Sequence, residues 1–229
     1  MRALPVLILL LIPLGMVSAE PLRASLPEHR VLSSSETDSF EPALLRAVAD
    51  GLVETAVIAE QGDTADLQLD PASAGPIYYR AVPAALTASE GGITDWEQLR
   101  SQPVCFTRAS PYTALIVRRF AAQPREYPSS AHALIGLKLG ECVAVVEDQR
   151  LLAEMATLPE WRRYKSLLPA LSEAEQVLRI GAQEPALQAR LETLMQAWAG
   201  EAQLEELIRF WIDEVAFQAY VLADTLDCH

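Results

Sequence analysis

LIGLKLGECVAVVEDQRLL (134–152) decides the fold. Its first residues finish a helix that starts near Ser130, and Gly140 supplies the stop. Cys142 to Val146 reads as a strand, with four apolar residues after the cysteine, which suits burial on both faces. Glu147 and Asp148 follow, and Gln149 to Met155 reads as the next helix. A buried strand that ends on carboxylates and turns into a helix is a unit of an α/β layer with parallel strands. Groups at such strand ends lie where ligands of open α/β sheets bind.

The preceding segment repeats this grammar. Val104 to Thr107 reads as a strand, and Pro111 to Ala121 as a helix. Further upstream, Ile77 to Leu86 is β-prone, with Pro83 marking an edge or a crossing segment. Phe40, Leu44, Val48 and Leu52 recur every fourth residue, with Thr37, Asp38 and Ser39 offering cap oxygens before them and Gly51 near the end. Val31 to Ser33 and Val53 to Ala59 are strand candidates, and Ala65 to Leu69 is a weaker one. The last third is helical. Leu187, Leu191, Leu194, Met195 and Trp198 share one face, as do Leu204, Leu207, Ile208, Trp211, Ile212 and Val215. Gly200 separates the two runs.

MRALPVLILLLIPLGMVSA (1–19) has a basic residue, an apolar core and a small-residue cleavage pattern at Val17-Ser18-Ala19, so it reads as a cleavable export signal. The apolar run is broken by Pro5, Pro13 and Gly15 and is short for a bilayer span. No later segment could span a membrane. With 31 acidic against 18 basic residues and a net charge of −13, the chain repels phosphate backbones and anionic lipid, which argues against nucleic acid as a partner.

Export permits disulfides. Cys105 and Cys142 each lie in or beside an apolar strand, and one parallel sheet can bring them together. The alternative is two small buried thiols. Cys228 is expected to be free. The cysteine spacings match no zinc pattern. No nucleophile elbow, phosphate loop or metal pair occurs, so no cofactor is expected.

At this point the chain resembles the type 2 periplasmic solute-binding proteins, specifically the amino-acid-binding group of ABC importers (solute-binding protein family 3). ITDWEQLRSQPVCFTRASPY (93–112) looks like the family's approach to its second lobe. YPSSAHALIGLKLGECVAVVEDQRLL (127–152) looks like its helix, Gly turn, strand and ligand-facing Asp. IGAQEPALQARLETLMQAWAGEAQLEELIRFW (180–211) looks like its closing helix pair, and FEPALLRAVADGL (40–52) fits its first helix. The resemblance implies an α/β fold with two lobes, mixed or parallel sheets flanked by helices, and a helical C-terminus. Lobe one would be residues 20–89 plus 168–229, and lobe two 90–167. The implied activity is capture of a small polar ligand between the lobes by a monomeric protein that serves an ABC permease.

The resemblance also assigns roles. Asp148 would take a ligand amino group, or it caps the next helix. Ser110, just before Pro111, would meet a ligand carboxylate, or it caps its own helix. The family usually has Gly before this Ser or Thr, and here Ala109 stands there, which restricts the backbone. Thr107 and Arg108 border the same turn. Tyr78 and Tyr79 stand where the family often carries a stacking aromatic, but neighbours on a strand point to opposite faces. Glu147 either faces the cleft beside Asp148 or is solvated. The family's first lobe normally carries a Gly-Thr-x-x-x-x-Arg segment whose Arg clamps the ligand carboxylate. Between Asp66 and Tyr79 this chain has no arginine, and against the family's plan its first lobe looks shortened. The other readings are a binding-protein fold reused as an accessory recognition module and, less favoured, a cleft enzyme.

Overall fold

A computed structural model describes residues 20–26, 40–60 and 62–227. The export signal expected at residues 1–19, the strand expected at Val31 to Ser33, the cap expected at Thr37 to Ser39 and Cys228 lie outside them. The chain builds two five-stranded mixed sheets. The first has the order β2-β1-β3-β10-β4, from β1 (Leu22–Ser25), β2 (Ala56–Ile58), β3 (Leu67–Leu69), β4 (Ile77–Ala81) and β10 (Gln176–Ala182). β1 runs parallel to β2 and β3, whereas β10 is antiparallel to β3 and β4. The second has the order β7-β6-β8-β5-β9, from β5 (Pro83–Thr87), β6 (Pro103–Thr107), β7 (Gln123–Tyr127), β8 (Ala144–Asp148) and β9 (Ser166–Leu168). β6 is parallel to β7 and β8, and β5 is antiparallel to β8 and β9.

The chain passes from the first sheet to the second at Val82 and returns between Leu168 and Gln176. Pro83 therefore marks the crossing segment and not an edge, and it opens an interior strand. It is the first residue of β5, where the missing N–H is tolerated. All five residues of β8 are buried, as the apolar run requires.

Helix α1 (Phe40–Leu52) buries Phe40, Leu44, Leu45, Val48 and Leu52. It ends at Val53, whose φ is +58°, with the Glu54 N–H donating to the Ala49 carbonyl. That closure normally uses glycine. Four helices follow in order: α2 (Thr113–Phe120), α3 (Ser130–Lys138), α4 (Gln149–Thr157) and α5 (Pro185–Glu201). The last, α6 (Gln203–Asp227), runs for 25 residues. Gly200 lies inside α5, and the break falls at Ala202, with φ +58°. α6 packs against α1 and α5 on one side and against α3 and α4 on the other, so it lies across both halves of the molecule.

Cys105 and Cys142 form a disulfide, with their Cα atoms 5.8 Å apart. It joins β6 to the turn that precedes β8. Helix α3 lies close over it: a Cβ on Gly136 would stand 2.9 Å from Cys105 Sγ and 2.6 Å from the Tyr127 hydroxyl. That hydroxyl donates to Glu141, and burial together with the acid pushes the Tyr127 pKa up to about 12.

Candidate functional site

Because β6 and β8 are parallel neighbours, their carboxyl ends meet, and the N-terminus of α3 arrives beside them after β7. Three side chains converge there. Thr107 and Ser130 both donate hydroxyl hydrogen bonds to Glu147 Oε1, the second at 3.0 Å. The Asp148 N–H donates to Glu147 Oε2 at 3.1 Å. Thr107 and Glu147 retain 8% and 7% exposure and Ser130 is half-buried, so the trio reaches the surface. A carboxylate held by two hydroxyls and one amide in this position keeps acceptor capacity for one more donor.

Ser130 was not singled out by the sequence. The signal was Ser129-Ser130 ahead of an apolar helix. Ser129 takes the cap, its Oγ accepting from the His132 N–H, which leaves Ser130 free to turn to Glu147.

Ser110 belongs to a turn. Its N–H donates to the Thr107 carbonyl, and its Oγ accepts weakly from the Tyr112 N–H at 3.4 Å. Helix α2 begins at Thr113, after Tyr112, instead of at Pro111, so Ser110 does not occupy the cap. Thr113 Oγ1 is buried and has no hydrogen-bond partner. Ala109 has φ +55°, the left-handed conformation that glycine adopts at no steric cost. Ala109→Gly should therefore leave the turn intact, and removal of the strain should offset or exceed the added chain entropy. The expected result is a stability change between zero and about +1 kcal/mol, read by urea unfolding; a clear loss would mean the turn is unstrained. Arg108 is exposed, and its guanidinium makes no ion pair among the described residues.

Asp148 is 1% exposed and is engaged on both oxygens. Oδ1 accepts from the Tyr79 hydroxyl at 2.6 Å and from the Arg150 N–H at 2.9 Å, and Oδ2 accepts from the Val82 N–H at 3.3 Å. It caps α4. Tyr79 lies on the first sheet and Val82 in the passage between the sheets, so this one carboxylate holds parts of both halves. Tyr78 and Tyr79 are both buried. Tyr79 packs beside Phe40 and Trp211, with ring centroids 5.6 and 6.2 Å away, and Tyr78 donates to Glu41 at 3.3 Å. Arg80 pairs with Glu175 at 3.1 Å. Two further ion pairs cross between the halves or at the return passage: Arg150 with Glu205 on α6, and Arg119 with Glu173. The hydrogen bond from Arg150 holds the Glu205 carboxyl below the usual range.

Among the described residues, no group of three His, Cys, Asp or Glu could hold a metal ion, and no helix is long and apolar enough to cross a membrane.

No protein-family model matches the chain, and no curated protein matches it. Solved structures do. The GluR0 ligand-binding core in complex with L-glutamate aligns with a TM-score of 0.57 at 15% identity, over 85% of this chain and 99% of that one. The arginine-, lysine-, histidine-binding protein ArtJ from Geobacillus stearothermophilus aligns with a TM-score of 0.57 at 12% identity, over 84% of this chain and 95% of that one. An ancestral amino-acid-binding protein, described as a precursor of cyclohexadienyl dehydratase, aligns with a TM-score of 0.58 at 14% identity, over 84% and 95%. At these identities the likeness establishes the fold: two mixed sheets flanked by helices, in the two-lobed arrangement of periplasmic binding proteins, with a helical C-terminus.

Proposed function

We propose that this chain is an exported solute-binding protein that captures a small polar ligand bearing an ammonium group between its lobes. The observation that carries the reading is the convergence of Thr107, Ser130 and Glu147 at the carboxyl ends of β6 and β8. Binding sites in open sheets occupy that position, and a nearly buried carboxylate favours a cationic guest. Ser110 in the adjoining turn and the unpartnered Thr113 hydroxyl at the start of α2 would serve the rest of the ligand. Asp148 and Tyr79 would support the site from behind, as the Asp148 carboxylate already accepts from Tyr79, Arg150 and Val82. The bound proteins of the same fold lend weight to binding over catalysis, although one ancestral neighbour shows that the fold borders on enzymes. The permease of an ABC importer would be the downstream partner, the periplasm the location, and residues 1–19 the export signal.

A second reading has its own support. Both oxygens of Asp148 are engaged within the protein, and no arginine lies between Asp66 and Tyr79. A fold relieved of transport would keep its architecture and act as a recognition module.

A thermal-shift screen with amino acids, polyamines and organic acids separates the two. Ligand at a hundredfold excess over its Kd adds about 2.7 kcal/mol, or a rise of roughly 5–10 °C. Glu147→Gln should abolish the shift given by an amine while leaving the melt of the free protein within a few degrees. If no compound raises the melt, the solute-binding reading fails and the recognition module stands.

A further inference from the structure

The C-terminal end of α3 carries a second concave site. The helix starts at Ser130 in the polar trio and ends at Lys138, roughly 12 Å away along its axis. At that far end lies a cavity of about 650 Å3 between α3, the segment after α4 and α6. Lys138, Arg162 and Arg163 border it, with Glu160 as its one acid. Neither Arg162 nor Arg163 makes an ion pair among the described residues, although the chain carries 31 acids against 18 bases. Ile135 and Leu139 at the end of α3 and Ala223 of α6 add apolar surface to its lining. Leu139 is 53% exposed.

The cationic wall is held in place by its backbone. Trp161 is buried and anchors the segment, and the Lys138 ammonium lies over its ring at 4.2 Å. The Ser89 N–H donates to the Arg163 carbonyl at 2.8 Å, and the Lys165 N–H donates to Ser89 Oγ at 3.1 Å. The Tyr164 hydroxyl donates to the Lys138 carbonyl at 3.2 Å, which satisfies one of the terminal acceptors of α3. The two guanidinium groups thus project from a fixed stretch of chain beside an apolar floor.

We propose that this cavity docks an acidic segment of a partner protein, with carboxylates on Arg162 and Arg163 and an aliphatic side chain against Ile135, Leu139 and Ala223. Arginine forks fit carboxylates in pairs. The volume falls in the range of ligand pockets, about 300–1,000 Å3. On a chain of net charge −13, an acidic partner is repelled over most of the surface and attracted here, so the same charges that bind it also orient it. The site is independent of the Glu147 trio and survives the failure of that reading.

The test is fluorescence anisotropy on the full chain with a labelled peptide that alternates glutamate and leucine, against a control with glutamine for every glutamate. Glutarate and inorganic phosphate serve as competitors. The acidic peptide should bind, weaken as salt rises, and lose about tenfold or more in affinity when both Arg162→Gln and Arg163→Gln are present. Both residues are exposed, so the double variant should melt with the wild type, which separates lost docking from lost folding. Equal binding of the glutamine peptide, or of the acidic peptide to wild type and double variant, overturns the proposal, as does no peptide binding at low salt. Glutarate or phosphate binding more tightly than the peptide also overturns it, because the cavity would then hold a free small anion.

Discussion

Asp148→Ala is expected to lower stability by about 3–5 kcal/mol, from a lost helix cap and from buried donors left without an acceptor. The terms can be read from the geometry. The cap on α4 accounts for about 1 kcal/mol. The buried Tyr79 hydroxyl then loses this acceptor at about 1–3 kcal/mol, and the half-buried Val82 N–H at about 1 kcal/mol. The melting temperature should fall by roughly 10 °C. Asp148→Asn should fall between, since the amide oxygen keeps the cap while its NH2 confronts the Val82 N–H. Calorimetry of the two variants decides the role. A carboxylate kept only for a ligand could be removed with no change in the melt of the free protein, and that result would return Asp148 to the binding surface. The contrast with Glu147→Gln is the sharper test, because the two neighbours are expected to fail in different assays.

The second large effect concerns the disulfide. Reduction, or replacement of Cys105 and Cys142 by alanine, should cost about 4 kcal/mol in the chain-entropy treatment of a crosslink of this span, which closes 37 residues of sequence. The loop it closes includes β7 and α3, the two elements that deliver Ser130 to Glu147. The pair is buried under Gly136 and Tyr127, so a thiol reagent should act only on unfolding. Denaturant midpoints with and without reductant measure the cost. Midpoints that coincide would mean the packing of α3 alone holds the strands, and the bond would then be dispensable.

The second sheet and the C-terminal helices were legible because long apolar runs and 3.6-residue stripes dominate them. β8 lies two residues later than its apolar run suggested, because the strand carries its carboxylates into the sheet, where Pro83 and Ala84 of β5 pair with them. β7 went unread: QPREY (123–127) is polar and mostly exposed, an edge strand whose signal is pairing with β6 and not hydrophobicity. β1 was missed for its length of four residues. Gly200 stands between the two apolar runs, yet an alanine at φ +58° carries the turn, because packing of α6 outweighs a local cost of about 1–2 kcal/mol. Within the site, Asp148 was legible as either a ligand group or a cap, since both uses need the residue after a strand and before a helix. Only the positions of Tyr79 and Val82 distinguish them. Those partners lie 69 and 66 residues away in sequence.

Helix α6 has a kinetic consequence. It seals α1 and α5 to α3 and α4 along one rod, so the jaws cannot swing apart without peeling one of those faces from it. Escape of a captured molecule would then wait on that peeling. On the solute-binding reading proposed above, the off-rate would be set by the seam of α6 and not by the pocket.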